Sequence, residues 1–197
     1  MTERSRGPVR RRLQLILTLA TALGAVTLAG CGPTWMVVRD GGSPSPLRGA
    51  GPITVSFDYS RFSVEGKNEQ EFVQGKLVKY PEYPTTWAEL RQQLEVNFIN
   101  GFAEWPGGVG AGPPGPGVHA TVFPTALTIG HYMVIAATPT TIDATVAFTV
   151  NGLPADEIAL TRSEPASAFR PTVFAHVPPI GVYMGQATNR FVQSKNK

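Results

Sequence analysis

The stretch that decides the fold is Thr-Thr-Ile-Asp-Ala-Thr-Val-Ala-Phe-Thr-Val at positions 140–150, followed by Asn151-Gly152. Apolar and polar side chains alternate along it, the period-two pattern of a strand with one buried face. Asn-Gly suits the two positive-φ positions of a tight hairpin turn. Residues 157–161 are then predicted to form a short return strand, which makes the pair antiparallel.

Strand patterns also lie upstream of this hairpin. Residues 53–59 alternate cleanly between apolar and polar side chains, and residues 118–129 and 132–138 read as two strands around Gly130. Between them, residues 106–117 are rich in glycine and proline and are predicted to be a loop. Residues 62–83 stay unassigned, because Asn68 with Glu71 suits a helix start whereas Gly75 and the β-prone Leu77-Val78 favour a strand.

Two helices are predicted. The first covers about 86–105, with Thr86 and Glu89 spaced as a capping box. Its apolar residues recur every three or four positions and form one stripe: Trp87, Leu90, Leu94, Phe98 and Phe102. The second covers about 180–194, with Pro179 in its first turn. Its predicted buried side consists of Ile180, Tyr183, Met184, Ala187 and Phe191.

Together these elements predict an α+β fold, an antiparallel sheet of about four to five strands with both helices packed on one face. Residues 52–197 are predicted to form this single domain. The order of elements is similar to that of several families of small envelope lipoproteins, a resemblance of layout without a shared motif.

The N-terminus has the three parts of an export signal: five arginines within residues 1–12, an apolar run over residues 13–26, and the tetrapeptide Leu28-Ala29-Gly30-Cys31. The apolar run is too short for a membrane-spanning helix. The tetrapeptide resembles the lipobox of bacterial lipoproteins. That resemblance implies a signal peptide over residues 1–30, cleavage between Gly30 and Cys31, and lipid, palmitate included, on Cys31. The alternatives are a buried structural thiol at Cys31 and a twin-arginine signal at residues 10–13.

Removal of the signal changes the charge balance. The whole chain has 17 Lys and Arg against 14 Asp and Glu, but five arginines and Glu3 precede Cys31. The remaining chain is therefore slightly acidic, so its charge gives no reason to expect a nucleic-acid partner. Residues 31–51 are predicted to be a flexible tether. Within it, residues 35–38 either lie at the lipid interface or form an edge strand.

No catalytic, metal or cofactor motif is present in the sequence. His119, His131 and His176 lack a second ligand at helical or hairpin spacing. The adjacent acids Asp156-Glu157 and the pair Glu69 and Glu71 are expected in exposed turns or in the unassigned segment. The glycines of 108–112 precede prolines rather than a helix, which excludes a phosphate loop. No Gly-x-Ser-x-Gly elbow occurs.

The functional prediction is an envelope lipoprotein that is not an enzyme and that holds or recruits an envelope protein partner at the membrane. A small-molecule or lipid-binding module is the alternative, with an apolar pocket formed by Trp87, Phe98, Phe102 and Phe148. A hydrolase is the third reading. Gly32 is not the aspartate that retains many lipoproteins at the inner membrane, so the lipoprotein resemblance implies an outer membrane location facing the periplasm in a Gram-negative cell.

Overall fold

The computed structural model describes residues 35–49, 51–104, 106–133 and 136–197. The predicted signal peptide and Cys31 lie outside these residues. The compact unit that contains the described residues extends from Thr34 to Lys197. It therefore begins well before residue 52, where the sequence pattern placed the start of the domain.

The described residues contain ten strands and three helices. The strands are β1 Met36–Arg39, β2 Ile53–Phe57, β3 Ser63–Val64, β4 Lys67–Asn68, β5 Val109–Ala111, β6 Val118–Thr128, β7 Tyr132–Met133, β8 Ala136–Ala137, β9 Thr140–Val150 and β10 Leu153–Glu164. The helices are α1 Glu69–Leu77, α2 Tyr83–Phe102 and α3 Val173–Lys195.

Eight of these strands form one mixed sheet with the order β1-β10-β9-β6-β2-β5, to which β3 and β4 attach beside β6. The α+β class is confirmed, but the sheet has more strands than predicted and is not purely antiparallel. Strand β2 runs parallel to both β5 and β6. The reason is the long connection through α1 and α2, which returns the chain to the same end of the sheet before β6 begins.

The hairpin that opened the sequence analysis is confirmed. Asn151 and Gly152 have φ values of 51° and 78° and join β9 to β10. The return strand is longer than predicted, because β10 continues to Glu164 along almost the whole of β9. The strand predicted over 132–138 is instead the small β7–β8 pair, which lies outside the main sheet.

Both long helices pack on the buried face of the sheet. The ring of Phe98 in α2 lies 5.5 Å from that of Phe57 in β2, and the ring of Phe191 in α3 lies 5.7 Å from that of Phe148 in β9. The predicted stripe of α2 is buried at all five positions, as expected: Trp87, Leu90, Leu94, Phe98 and Phe102. Where α2 and α3 cross, Gly101 and Gly185 let the two backbones approach so closely that neither position has room for a Cβ atom.

The predicted capping box is wrong. Helix α2 begins at Tyr83, and the Thr86 hydroxyl donates to the Glu82 carbonyl instead of capping the helix. Pro84 occupies the first turn, where its fixed φ fits the helix and its missing N–H is not needed. The helix therefore starts three residues earlier than the capping pattern indicates.

Helix α3 begins seven residues before the predicted start and contains both Pro178 and Pro179. Tertiary contacts outweigh the prolines, because Val177 and His176 in the early turns are completely buried. Tyr183, predicted to be buried, is 45% exposed. In the unassigned segment, the Asn68 side chain accepts a hydrogen bond from the Glu71 amide and caps α1, as one of the two readings required.

Two segments predicted to lack structure are part of the fold. Within the glycine-proline stretch 106–117, Val109–Ala111 form β5 alongside β2. Within the predicted tether, β1 pairs with β10 as an edge strand, which answers the question left open for residues 35–38. Backbone pairing explains both differences, because it fixes a segment whose own side chains bury little apolar surface.

Candidate functional site

The four residues proposed to line an apolar pocket lie in the protein interior. Trp87, Phe98, Phe102 and Phe148 are all almost fully buried. Their rings pack against other rings, with Phe98 and Phe102 6.2 Å apart and Trp87 5.4 Å from Phe72. These contacts favour a core role for all four residues.

The most elaborate polar site joins the N-terminal segment to the rest of the domain. We call it the attachment cluster, and it consists of Asp40, Ser45, Asp156 and Lys195. Asp156 is completely buried. It lies in a β-bulge of β10, between Pro154 and Glu157, where the pairing with β9 shifts register. Such a bulge re-aims a side chain out of the regular alternation.

The carboxylate of Asp156 is fully partnered. It accepts hydrogen bonds from the Gly41 amide at 3.0 Å and from the Ser45 hydroxyl at 2.8 Å. The ammonium group of Lys195 lies 2.9 Å from Asp156 and 2.9 Å from Asp40. A buried carboxylate needs such a counter-charge, since an unpaired charge in the interior is very costly.

The charges of this cluster reinforce one another. The hydrogen bond from Lys195 lowers the pKa of the Asp40 carboxyl. Partial burial alone would lower the pKa of Lys195, but its hydrogen bonds to Asp156 and Asp40 outweigh burial and raise it. Both groups are therefore ionised near neutral pH, and the cluster acts as an electrostatic clamp rather than as an acid or a base.

Apolar contacts complete the attachment. Leu47 is completely buried. The ring of Trp35 meets Phe191 of α3 edge-on, at 5.9 Å between centroids. Residues 35–48 are thus held by strand pairing, packing and the clamp, with chain upstream of Trp35 leading directly to Cys31.

The sequence gave little warning of this cluster. Asp156 and Glu157 were expected in an exposed turn, which is wrong for Asp156. The available signal was an aspartate between Ala155 and the apolar residues of a strand, and a lysine one helical turn after Phe191. The link between them spans the length of the domain, so no local pattern reveals it.

The other predicted acidic pair, Glu69 and Glu71, has separate structural roles. Glu69 accepts a hydrogen bond from the Trp87 indole at 2.6 Å and forms an ion pair with Arg91 at 3.3 Å. The Arg91 guanidinium also stacks on the Tyr59 ring at 3.7 Å. The backbone of Glu71 receives the cap of α1, so the two carboxylates do not form a catalytic pair.

The three histidines lie apart. His131 is exposed, whereas His119 and His176 are buried. His176, which lies in α3, contacts the Thr140 hydroxyl at 2.6 Å and the Arg170 carbonyl at 2.7 Å. Across the described residues, no group of three or more His, Cys, Asp and Glu side chains is placed to hold a metal ion.

His119 is the one histidine whose contacts resemble those of a reactive site. Its Nε2 lies 2.8 Å from the Ser56 hydroxyl, and its Nδ1 lies 2.7 Å from the Thr54 hydroxyl. Burial lowers the pKa of this imidazole. A serine beside a neutral histidine is half of a nucleophile and base arrangement. The orienting group is a threonine hydroxyl, which cannot stabilise an imidazolium as a carboxylate does.

The predicted lipidation and cleavage residues, Cys31 and Gly30, lie outside the described residues. In the part of the chain that the structure covers, no helix is long and apolar enough to cross a membrane. No protein-family model, curated protein or solved structure matches the chain.

Proposed function

We propose that this protein is an envelope lipoprotein, anchored by lipid on Cys31, whose domain has an accessory role and holds or recruits a protein partner at the membrane surface. The anchor rests on the sequence of residues 1–31. In a Gram-negative cell the expected location is the outer membrane, facing the periplasm, since Gly32 follows the cysteine.

The observation that carries the proposal is the early start of the folded domain. Strand β1 pairs with β10 from Met36, and Trp35 already packs on Phe191. Only Gly32, Pro33 and Thr34 separate Cys31 from this folded segment. Four residue steps span at most about 14 Å. A lipid on Cys31 would therefore keep the domain against the membrane instead of at the end of a 20-residue tether.

The interior supports an accessory role over a binding module. The aromatic residues that could have lined a ligand pocket pack on one another. The buried charged side chain, Asp156, is fully occupied by the attachment cluster. A rigid domain confined to a thin layer gains effective concentration toward a membrane partner, so even a weak interface suffices.

The anchor is tested by metabolic labelling with a palmitate analogue in cells. The wild-type chain and the control Thr34→Ala should carry the label and lose residues 1–30. Cys31→Ala should remain an unlabelled precursor, because the thiol is the lipid acceptor. A Cys31→Ala chain that still acquires label and still matures would exclude this anchor.

A further inference from the structure

The path of β1 identifies the end of the domain that faces Cys31. Met36 pairs with Ala159 in an antiparallel register. Following the chain back from Met36 through Trp35 therefore leads along β10 toward Glu164. The loop 165–172 lies at this end and connects β10 to α3. Any membrane that holds Cys31 is nearest to this part of the domain.

This end displays a group of cationic and aromatic side chains that we call the basic aromatic surface: Arg162, Phe169, Arg170, Tyr183 and Arg190. Phe169 is 97% exposed in the loop. Arg170 pairs with Glu164 at 3.1 Å, and Arg162 lies 3.8 Å from the same carboxylate.

The surface continues from the loop onto α3. The Arg162 guanidinium lies 3.9 Å above the centre of the exposed Tyr183 ring. Arg162, Tyr183 and Arg190 line one cleft between β10 and α3. Three guanidinium groups thus share a surface with a single carboxylate, Glu164.

We propose that the basic aromatic surface contacts the anionic headgroups of the membrane that carries the lipid anchor. Guanidinium groups bind phosphate oxygens in a bidentate geometry. Phenylalanine and tyrosine enter the boundary between headgroups and acyl chains, where an aromatic ring replaces water by lipid. The surface therefore combines charge complementarity with an apolar residue exposed beyond its neighbours.

The short chain between Cys31 and Trp35 favours a bilayer over a protein as the occupant. With a reach of about 14 Å, an acyl chain on Cys31 would bring the nearest end of the domain to the headgroup layer. Attraction between arginines and anionic lipids acts over about the same distance, since the Debye length is about 8–10 Å at moderate salt. This inference rests on the proposed anchor at Cys31.

The experiment uses the lipidated protein in vesicles. The chain has one cysteine, whose thiol carries the lipid, so Phe169→Cys supplies a unique free thiol for an environment-sensitive fluorophore. Val78→Cys is the control, because Val78 is 95% exposed at the end of α1. Each labelled protein is reconstituted into phosphatidylcholine vesicles with or without one quarter phosphatidylglycerol, and vesicle attachment is checked by flotation.

The fluorophore at position 169 should show a blue-shifted emission and at least a twofold gain in intensity when phosphatidylglycerol is present, and the fluorophore at position 78 should not. Combining Arg170→Glu with Arg190→Glu should remove more than half of that gain, whereas Lys67→Glu should leave it unchanged. Equal emission at positions 169 and 78 would overturn the surface, and a response independent of phosphatidylglycerol would overturn the role of charge. A chain that does not float would instead refute the anchor, and with it the premise of this surface.

Discussion

The ammonium group of Lys195 lies 2.9 Å from the completely buried carboxylate of Asp156. This ion pair ties the last turn of α3 to the bulge of β10. Because the same carboxylate holds the Gly41 amide and the Ser45 hydroxyl, the pair also fixes the segment that follows β1. The C-terminal turn of the protein and the segment nearest the proposed anchor are therefore stabilised by one interaction.

Lys195→Met should destabilise the domain by about 3 kcal/mol, because it leaves the buried charge of Asp156 without its counter-ion. The added change Asp156→Asn should restore part of this loss, since a neutral amide oxygen still accepts from Gly41 and Ser45. Urea unfolding gives the free energies, and amide hydrogen exchange over residues 36–47 should accelerate in Lys195→Met. The control is the exposed Lys197→Met, which should cost under about 0.5 kcal/mol. Similar values for the two lysine variants would show that the ion pair contributes little.

The crossing of α2 and α3 gives a second prediction. A Cβ atom at Gly185 would collide with the Phe98 carbonyl, a backbone atom that no side-chain rotation can move. Gly185→Ala should therefore destabilise by at least about 2 kcal/mol. Gly75→Ala in α1 is the matched control: nothing lies within 4 Å of its added methyl group, and alanine is a better helix former. It should stabilise by about 0.5–1 kcal/mol. Thermal unfolding that gave both variants the same sign would contradict the close crossing.

Strand β5 makes the glycine-proline stretch a structural element. The Ile53 amide donates to the Gly108 carbonyl and the Gly112 amide donates to the Val55 carbonyl, each at 3.0 Å. Replacing residues 106–117 with a shorter Gly/Ser linker should remove these bonds and lower the melting temperature by about 5–10 °C, as expected for a loss of about 2–3 kcal/mol. Replacing only residues 113–116 with Gly and Ser, at constant length, is the control and should lower it by less than about 3 °C. A melting temperature unchanged by the full replacement would mean that β5 adds nothing to stability.

His119 gives the domain a defined pH dependence. Burial holds the pKa of its imidazole below the ordinary value of 6.5, so the unfolded chain takes up this proton at a higher pH than the folded chain does. The free energy of unfolding should therefore fall as pH drops below about 6.5, by up to about 1.4 kcal/mol per pH unit for this one group. Unfolding in urea between pH 7.5 and 5 should show a shallower slope for His119→Gln than for the wild type. If the exposed control His131→Gln loses the slope instead, the assignment to His119 is wrong.

The sequence predicted what depends on local periodicity. The β9–β10 turn at Asn151-Gly152 and the buried stripe of α2 follow from spacing alone, because side-chain direction is fixed by the period of each element. It did not predict what depends on distant partners. The pairing of β5 with β2, the helical path through Pro178 and the burial of Asp156 each require a contact with a remote segment. The attachment cluster was missed for the same reason, since Asp40, Asp156 and Lys195 meet only after folding.

The last prediction concerns the distance between the domain and the membrane, which follows from the proposed anchor. If the role of the protein depends on being held close to the bilayer, inserting 20 Gly/Ser residues between Thr34 and Trp35 should weaken it, because such a linker adds a root-mean-square reach of about 25 Å. Cells lacking the gene would receive the wild type, the lengthened form or a secreted form without Cys31, at matched abundance. Crosslinking with an amine-reactive reagent would capture neighbours, and rescue of the deletion would be scored beside it. We expect the wild type to capture an envelope protein that the lengthened form captures at least severalfold less and the secreted form does not capture. The matched control inserts the same linker between Gly115 and Pro116, in the exposed part of the loop, and should behave as the wild type. Full rescue by the secreted form, with no captured envelope protein in any strain, would exclude the accessory role and favour a soluble binding or catalytic function.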